Sequence, residues 1–331
     1  IFHLINNNYI MKNSYSNIYF FNKKTLNKTI KVLNKGNIVS LPTETVYGLA
    51  GNAYSKKVVQ KIFKLKRRPS INPLIIHYHD IEQVLDDVVV NNNFRKLYKK
   101  FCPGPLTFIL KKNKNSRINS LASAKLKTIA IRFPKHKVIK SFLRNIDYPL
   151  AMPSANKSSN VSPVCALDVF EEFGKKIKII IDGGRSKIGI ESTVIDLTNK
   201  PRILRPGIIS SHQIEKILKL KIDKNSNILK IKSPGMFKKH YSPGIPVLIN
   251  QKKSDNKSAF IYLGDKYKNN KNFFTLSKNS NLSEAASNLY KTFRLIKKKG
   301  FKKIQIIRIP FKGPGIAIND RIKRASNSKW N

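Results

Sequence analysis

Short apolar runs alternate with segments whose apolar residues recur at helical spacing, and this alternation restricts the chain to the α/β class. Ile38 to Leu41, Leu74 to Tyr78, Leu106 to Leu110, Thr128 to Phe133, Ile177 to Ile181 and Thr193 to Leu197 read as strands. Leu26, Ile30 and Leu33 make one helical face, stopped by Gly36. Val58, Val59, Ile62 and Phe63 make another, which delivers the basic run Lys64 to Arg68 before Pro69 ends it. Residues 223–232 are polar and poorly periodic. Ser233-Pro234-Gly235-Met236 and His240-Tyr241-Ser242-Pro243-Gly244 then read as an ordered, irregular linker. After it the pattern restarts, with strands at Pro246 to Ile249, Ala259 to Leu263 and Ile304 to Ile309. A helix over Asn281 to Lys299 opens on a capping-box pattern, Asn281 with Glu284, and a last helix spans Ile316 to Ala325. The expected organisation is a large α/β domain over 20–222, a linker over 223–245 and a small α/β domain over 246–331. The Lys- and Asn-rich stretches near 111–114 and 266–271 read as loops.

A length of 331 residues supports one large core or two ordinary ones. The formal net charge of +47 admits a phosphate-bearing partner such as nucleotide, RNA or anionic lipid. It equally admits compositional drift: Lys, Asn and Ile are abundant throughout and Arg is much rarer than Lys, as in AT-rich coding sequence. The charge therefore argues only weakly for RNA. Cys102 and Cys165 fit no metal or disulfide spacing, which favours a reducing, cytoplasmic setting. No apolar run approaches a membrane span, and residues 1–10 lack a signal-peptide layout. Met11 offers an alternative start, with an organellar transit peptide as the other reading.

Five segments concentrate chemistry where predicted strands end, the usual place for ligand crevices in α/β sheets. Pro42 to Leu49 carries two threonines, a carboxylate, a tyrosine and a glycine, which make either a substrate pocket or a well-satisfied turn. Lys64 to Leu74 offers Lys66 and Arg68 as phosphate clamps, or as a solvated helix end that suits the dipole; His77 follows. Arg132 sits inside the apolar strand Thr128 to Phe133. An unpaired buried charge is costly, so this position demands an anion, either a substrate carboxylate or a structural acid. Met152-Pro153-Ser154-Ala155-Asn156, with Ser158, Ser159 and Ser162, suits a tight loop near a nucleotide or an ordinary turn cluster. Finally, Asp182-Gly183-Gly184 and Gly189-Ile190-Glu191-Ser192-Thr193 precede Arg202 and Arg205-Pro206-Gly207. Neither a Walker loop nor a dinucleotide fingerprint is present, and no nucleophile-elbow triad, zinc spacing or paired catalytic carboxylates occur. A reaction run by positioning and positive charge fits best. Nucleotidyl transfer is of that kind, with Lys, Arg and Mg2+ neutralising charge on phosphate oxygens.

Together these segments resemble the threonylcarbamoyl-AMP synthase family, the YrdC-domain proteins, over about Thr25 to Gly207. Pro-Thr-Glu-Thr-Val-Tyr-Gly-Leu, Lys-x-Arg-Pro-x-x-x-Pro-Leu, Pro103-Gly104-Pro105-Leu106-Thr107, Pro-Ser-Ala-Asn and Gly-x-Glu-Ser-Thr-Val occur in the family's order. The linker and the ending Asp320-Arg321-Ile322-x-Arg324-Ala325 resemble its longer, two-domain branch. The resemblance implies a YrdC-like open twisted sheet with a concave basic cavity over 20–222, and a smaller Rossmann-like C-terminal α/β domain. It implies an enzyme, a nucleotidyltransferase that makes threonylcarbamoyl-adenylate and pyrophosphate from L-threonine, bicarbonate and ATP with Mg2+. The product would pass to a tRNA threonylcarbamoyltransferase for modification of tRNA position 37. By position, Thr45, His77, Arg132, Met152 and Ser192 match threonine contacts. Arg68, Asn72, Thr128, Ser154, Ser162 and Arg205 match nucleotide contacts. Lys66 would face phosphate or carbamate, making Lys66 and Arg68 the catalytic cations. Tyr241 would reach back over the nucleotide, so that the linker acts as a lid shielding a water-labile carbamate.

The sequence departs from the pattern at Arg67 and Ser159, where the family usually has Gly, at Val164, where Thr is usual, and at Phe237 and Lys238 in the linker. Two other readings remain: a basic cavity that binds RNA without catalysis, or at least weakly beside it, and a carbamoyl-handling domain of a hydrogenase-maturation enzyme. The first needs no amino-acid pocket. The second expects acylphosphatase-like and zinc segments that the chain lacks.

Overall fold

The computed structural model describes residues 15–222, 240–267 and 270–326. The stretch 223–239, which holds most of the expected lid, and Met11 lie outside them. Strands β1 (Ile18–Phe20), β2 (Val39–Leu41), β3 (Gly48–Asn52), β4 (Ile75–His77), β5 (Val88–Val89), β6 (Leu106–Lys112), β7 (Thr128–Arg132), β8 (Leu150–Ala151), β9 (Ile180–Asp182), β10 (Thr193–Asp196) and β11 (Arg202–Arg205) form one mixed sheet. Its order is β1-β9-β2-β3-β8-β4-β7-β6-β10-β11, with β5 on β6. Strands β12 (Val247–Leu248), β13 (Ala259–Tyr262), β14 (Phe273–Thr275) and β15 (Ile304–Ile306) form a separate parallel sheet, ordered β12-β15-β13-β14.

Capping chemistry sets where the helices start. In α1 (Lys23–Asn34), Asn22 accepts from the Thr25 N–H and Thr25 returns a bond to the Asn22 N–H, closing a capping box. In α2 (Lys56–Lys66), Ser55 accepts from Val58. The helices α3 (Asn92–Phe101), α4 (Lys137–Arg144), α5 (Ala166–Phe173) and α6 (Ser211–Leu218) fill the gaps between strands. In the second domain α7 (Leu282–Lys298) and α8 (Pro314–Ala325) pack together. The cap of α7 differs from the sequence expectation. Asn281 accepts from Ser283 and Glu284, but the Glu284 carboxylate turns to the Ser277 hydroxyl, 2.6 Å away, and Ser277 Oγ takes the Asn281 N–H. Ser277 thus replaces the direct reciprocal bond. Lys111 and Lys112, read as loop, extend β6 and pair with β7 or β5.

Strand alternation separates core from site. Leu74, Ile76, Leu106, Phe108, Leu110, Ile129, Ile131, Phe133 and Ile195 point into the main core, against Val59 and Ile62 of α2, Phe94 and Leu97 of α3, and Ile214 and Leu218 of α6. The residues between them, Ile75, His77, Thr107, Ala130 and Arg132, therefore share the opposite face. On that face the pocket forms.

Two departures from the family pattern acquire a backbone meaning. Arg67 caps α2 in the left-handed region, at φ 50, and Ser159 lies at φ 71. A side chain there costs roughly 1–2 kcal/mol, against the roughly 0.4–1 kcal/mol that glycine adds to unfolded-chain entropy. Arg67→Gly is therefore expected to stabilise by up to about 1 kcal/mol, raising Tm by about 2 °C in a calorimetric scan. A lower Tm would show that the Arg67 side chain contributes more than its backbone costs.

Candidate active site

The Pro-Thr-Glu-Thr turn is built by Thr43. Its hydroxyl accepts the N–H groups of Thr45 and Val46 and donates to the Val46 carbonyl, 2.7 Å away. This closed turn presents Thr45 and Glu44 to Arg132, which reaches them from β7. Arg132 Nη1 donates to Thr45 Oγ1 at 2.8 Å and Nη2 to Glu44 Oε1 at 2.7 Å, while Nε points at the Gly104 carbonyl, 3.4 Å away. Glu44 is thus the anion that the strand position demanded. Three of the five guanidinium donors are used, so two N–H groups have no protein partner among the described residues. His77 is the register partner of Arg132. Burial, and then Arg132, hold its pKa well below the usual histidine range, so the ring is neutral.

A recess opens above these residues. Its lining includes Thr45, Arg132, His77, Ile75, Met152 and Gly48 together with Arg68, Ser154, Arg205, Glu191, His240 and Tyr241. It lies over the sheet face rather than at the strand ends alone, and Gly48 allows this. A Cβ at Gly48 would stand 2.5 Å from Met152 Cγ.

Arg68 bridges its own loop. Nε donates to the Asn72 carbonyl, and Nη2 to Asn72 Oδ1 and the Pro73 carbonyl, all neutral oxygens. Burial and the neighbouring Arg205 push its pKa down to about 9. A buried cation beside a second cation stores electrostatic energy that an incoming polyanion releases. Arg205 is fixed by donating to the Ser192 carbonyl and hydroxyl, both at 3.1 Å, and Ser192 Oγ also meets Thr107 Oγ1 at 2.7 Å. Gly207 lets the two segments touch: a Cβ there would lie 2.3 Å from the Thr193 nitrogen.

Eight of the residues expected from the sequence line the recess: Thr45, His77, Arg132, Met152, Arg68, Ser154, Arg205 and Tyr241. Asn72, Ser162 and Ser192 stand just behind it, holding Arg68, Glu191 and Arg205 respectively. Two residues are placed elsewhere. Lys66, expected to face phosphate or carbamate, is buried, and its ammonium donates to the Ser154 and Asn156 carbonyls. It braces the Pro-Ser-Ala-Asn loop from beneath, because a buried ammonium must satisfy its donors there. Thr128 shares the Arg132 face but begins β7, about 13 Å along the strand at ~3.3 Å per residue, outside the recess lining. Sequence reasoning gave Glu44, Glu191 and His240 no roles. Nor did it give a role to Tyr290 or Arg321 of the second domain, which meet Glu191. Arg321 did carry a signal: it is a cation on the apolar face of α8, between Ile318 and Ala325.

Tyr241 is buried, stacks on Tyr290 at 5.9 Å between centroids and takes Arg321 over its ring at 5.1 Å. Its hydroxyl has no hydrogen-bond partner among the described residues.

A YrdC-like sheet carrying an acid-anchored arginine beside a buried arginine pair, closed by a second α/β domain, defines a two-domain protein of the YrdC class. The comparisons agree. The family described as "Telomere recombination", which groups Sua5, YciO and YrdC proteins, matches residues 31–207, and the family described as "Threonylcarbamoyl-AMP synthase, C-terminal domain" matches residues 209–327. The threonylcarbamoyl-AMP synthase of Pyrococcus abyssi is 35% identical over 89% of this chain and 92% of its own length. That of Bacillus subtilis is 33% identical over 90% and 92%. The crystal structure of the P. abyssi Sua5 protein complexed with L-threonine superposes with a TM-score of 0.85 at 33% identity, covering 93% of this chain and 97% of that one. Escherichia coli YciO, 22% identical with a TM-score of 0.54, shares the fold over 60% of this chain. The chain belongs to the threonylcarbamoyl-AMP synthase family, in its two-domain form. Among the described residues, no helix is long and apolar enough to cross a membrane.

Proposed function

We infer that the chain is a threonylcarbamoyl-AMP synthase, a nucleotidyltransferase that joins L-threonine, bicarbonate and ATP into threonylcarbamoyl-adenylate and pyrophosphate. One observation carries this reading. Arg132, Thr45 and His77, which leave two guanidinium N–H groups of Arg132 without a protein partner among the described residues, share a single recess with the buried pair Arg68 and Arg205.

In this reading the two spare Arg132 N–H groups take the threonine carboxylate. The substrate therefore adds to the Glu44–Arg132 pair instead of replacing it. Neutral His77 and Met152 bound the threonine side chain. The threonine amine attacks the carbon of bicarbonate, one C–O bond breaks and that oxygen leaves as water with a proton from the amine, giving a carbamate; a carbamate oxygen then attacks the α-phosphorus of ATP, and the P–O bond to pyrophosphate breaks. Arg68 and Arg205 face the phosphates and neutralise the charge that grows on their oxygens. Ser154 contacts the nucleotide, while Asn72, Ser162 and Ser192 keep the contacting groups in place. Tyr241 covers the nucleotide and excludes water from the carbamate.

Mg2+ would enter as the counter-ion of the ATP triphosphate. The described residues offer no His, Cys, Asp or Glu cluster that could hold a metal, and Glu191 in the recess is engaged by Arg321, Tyr290 and Ser162. Transfer of the adenylate to a tRNA threonylcarbamoyltransferase, in a cytoplasmic setting, completes the proposal. Incubation with labelled bicarbonate, threonine and ATP should yield a label-bearing adenylate. Label that appears without threonine, or never reaches the nucleotide, would reject the reading.

A further inference from the structure

Glu191 is the single carboxylate among the residues that line the recess, which it lines together with Arg68 and Arg205, the pair assigned above to the phosphates. A free carboxylate there would repel a triphosphate and draw Arg205 to itself. Three donors engage it instead, on both of its oxygens. Oε2 accepts from Arg321 Nε at 2.9 Å and from the Tyr290 hydroxyl at 3.0 Å, and Oε1 from the Ser162 hydroxyl at 2.6 Å. Two of these three donors come from the C-terminal domain, Tyr290 on α7 and Arg321 on α8. Arg321 is fully buried, and its Nη1 also donates to the Pro206 carbonyl at 2.7 Å and to Asp320 at 2.9 Å. Glu191 lies two residues before β10, next to Ser192, and Pro206 directly follows β11, so one guanidinium ties together the two segments that carry Ser192 and Arg205. The docking around it is close. A Cβ at Gly189 would meet the Ser287 backbone at 2.6 Å, Arg294 donates to the Val161 carbonyl at 2.7 Å, and Lys298 pairs with Glu171.

We propose that Arg321, supported by Tyr290, is a positioning residue for the nucleotide: it neutralises Glu191 and fixes the Ser192 and Arg205 segments, so that the C-terminal domain completes the phosphate side of the recess. This rests on the functional reading above and extends it to the second domain. It predicts an asymmetric defect. The threonine subsite on Arg132, Thr45 and His77 uses no C-terminal residue, whereas the nucleotide side depends on one.

The test is equilibrium binding by calorimetry, with ATP alone and threonine alone, on the full chain. Arg321→Met should raise the ATP Kd by at least about tenfold, the effect of ~1.4 kcal/mol, and change the threonine Kd by less than about threefold. The double variant Glu191→Gln with Arg321→Met should recover most of the ATP affinity, because the offending charge is gone. Glu191→Gln alone should bind ATP as tightly as the unaltered protein or more tightly, and it remains informative if Arg321→Met does not fold. An unchanged ATP Kd in Arg321→Met, equal losses for both ligands without recovery in the double variant, or a tenfold ATP loss in Glu191→Gln would each overturn the proposal. Binding is read without turnover. A protein that binds as described but releases no threonine-dependent pyrophosphate would sink the functional reading and leave this one standing.

Discussion

Arg132→Met is expected to abolish threonine-dependent pyrophosphate release, lowering kcat/KM for threonine by about 10^2 to 10^4, and to lower stability as well. The two losses have separate causes. Catalysis loses the two N–H groups available to the substrate carboxylate, at roughly 1.5–3 kcal/mol per charge-assisted bond. Stability suffers because Glu44, buried against Arg132 at 2.7 Å, becomes an unpaired interior charge, which costs about 3–5 kcal/mol. The partner substitution separates them. Adding Glu44→Gln should restore much of the Tm, since the amide keeps a polar contact without the charge, while activity stays lost. An Arg132→Met protein that retains near-normal threonine dependence would show that the carboxylate binds elsewhere. A double variant that regained activity would make Arg132 a structural partner of Glu44 and nothing more.

The second large effect falls on the other side of the recess. Arg68→Met should raise the ATP KM by about 10- to 100-fold, as expected for one or two charge-assisted phosphate contacts, with the threonine KM little changed. The same loss should be visible without catalysis. ATP bound only to the folded state raises Tm by mass action, so the ATP-induced shift in the unaltered protein should largely vanish in Arg68→Met. The physical basis is the pairing of Arg68 with Arg205, which together with burial brings the Arg68 pKa down to about 9. A site that holds two cations together without ligand gains from an anion. If Arg68→Met kept the full ATP-induced shift, the phosphates would have to lie against another part of the recess.

How much of this is legible in the sequence depends on the range of the interactions. Strands with large apolar residues at alternate positions, such as Leu106, Phe108 and Leu110, declare themselves, because their core face is a local property of the chain. β3 does not. Gly48-Leu49-Ala50-Gly51-Asn52 lacks β-branched residues, and the close approach of Met152 to Gly48 and of Val58 to Gly51 favours glycine there. The need of Arg132 for an anion follows from its strand alone, but the choice of Glu44 over the substrate requires the fold. Lys66 misleads for the same reason. A basic residue at a helix end reads as solvated or ligand-facing, and only the Ser154 and Asn156 carbonyls, some ninety residues on, show what it holds. Arg321 is the extreme case, since its partner Glu191 is 130 residues away in sequence. The resemblance to the family reaches further than local physics because its five motifs preserve a three-dimensional arrangement that no single segment encodes.

The central claim is that one recess binds threonine and ATP and couples them through a carbamate. Pyrophosphate release from ATP, measured with threonine and then bicarbonate omitted, tests it most directly. Release should need all three substrates and fall to background when either threonine or bicarbonate is left out. Release that continues at the full rate without threonine would contradict it.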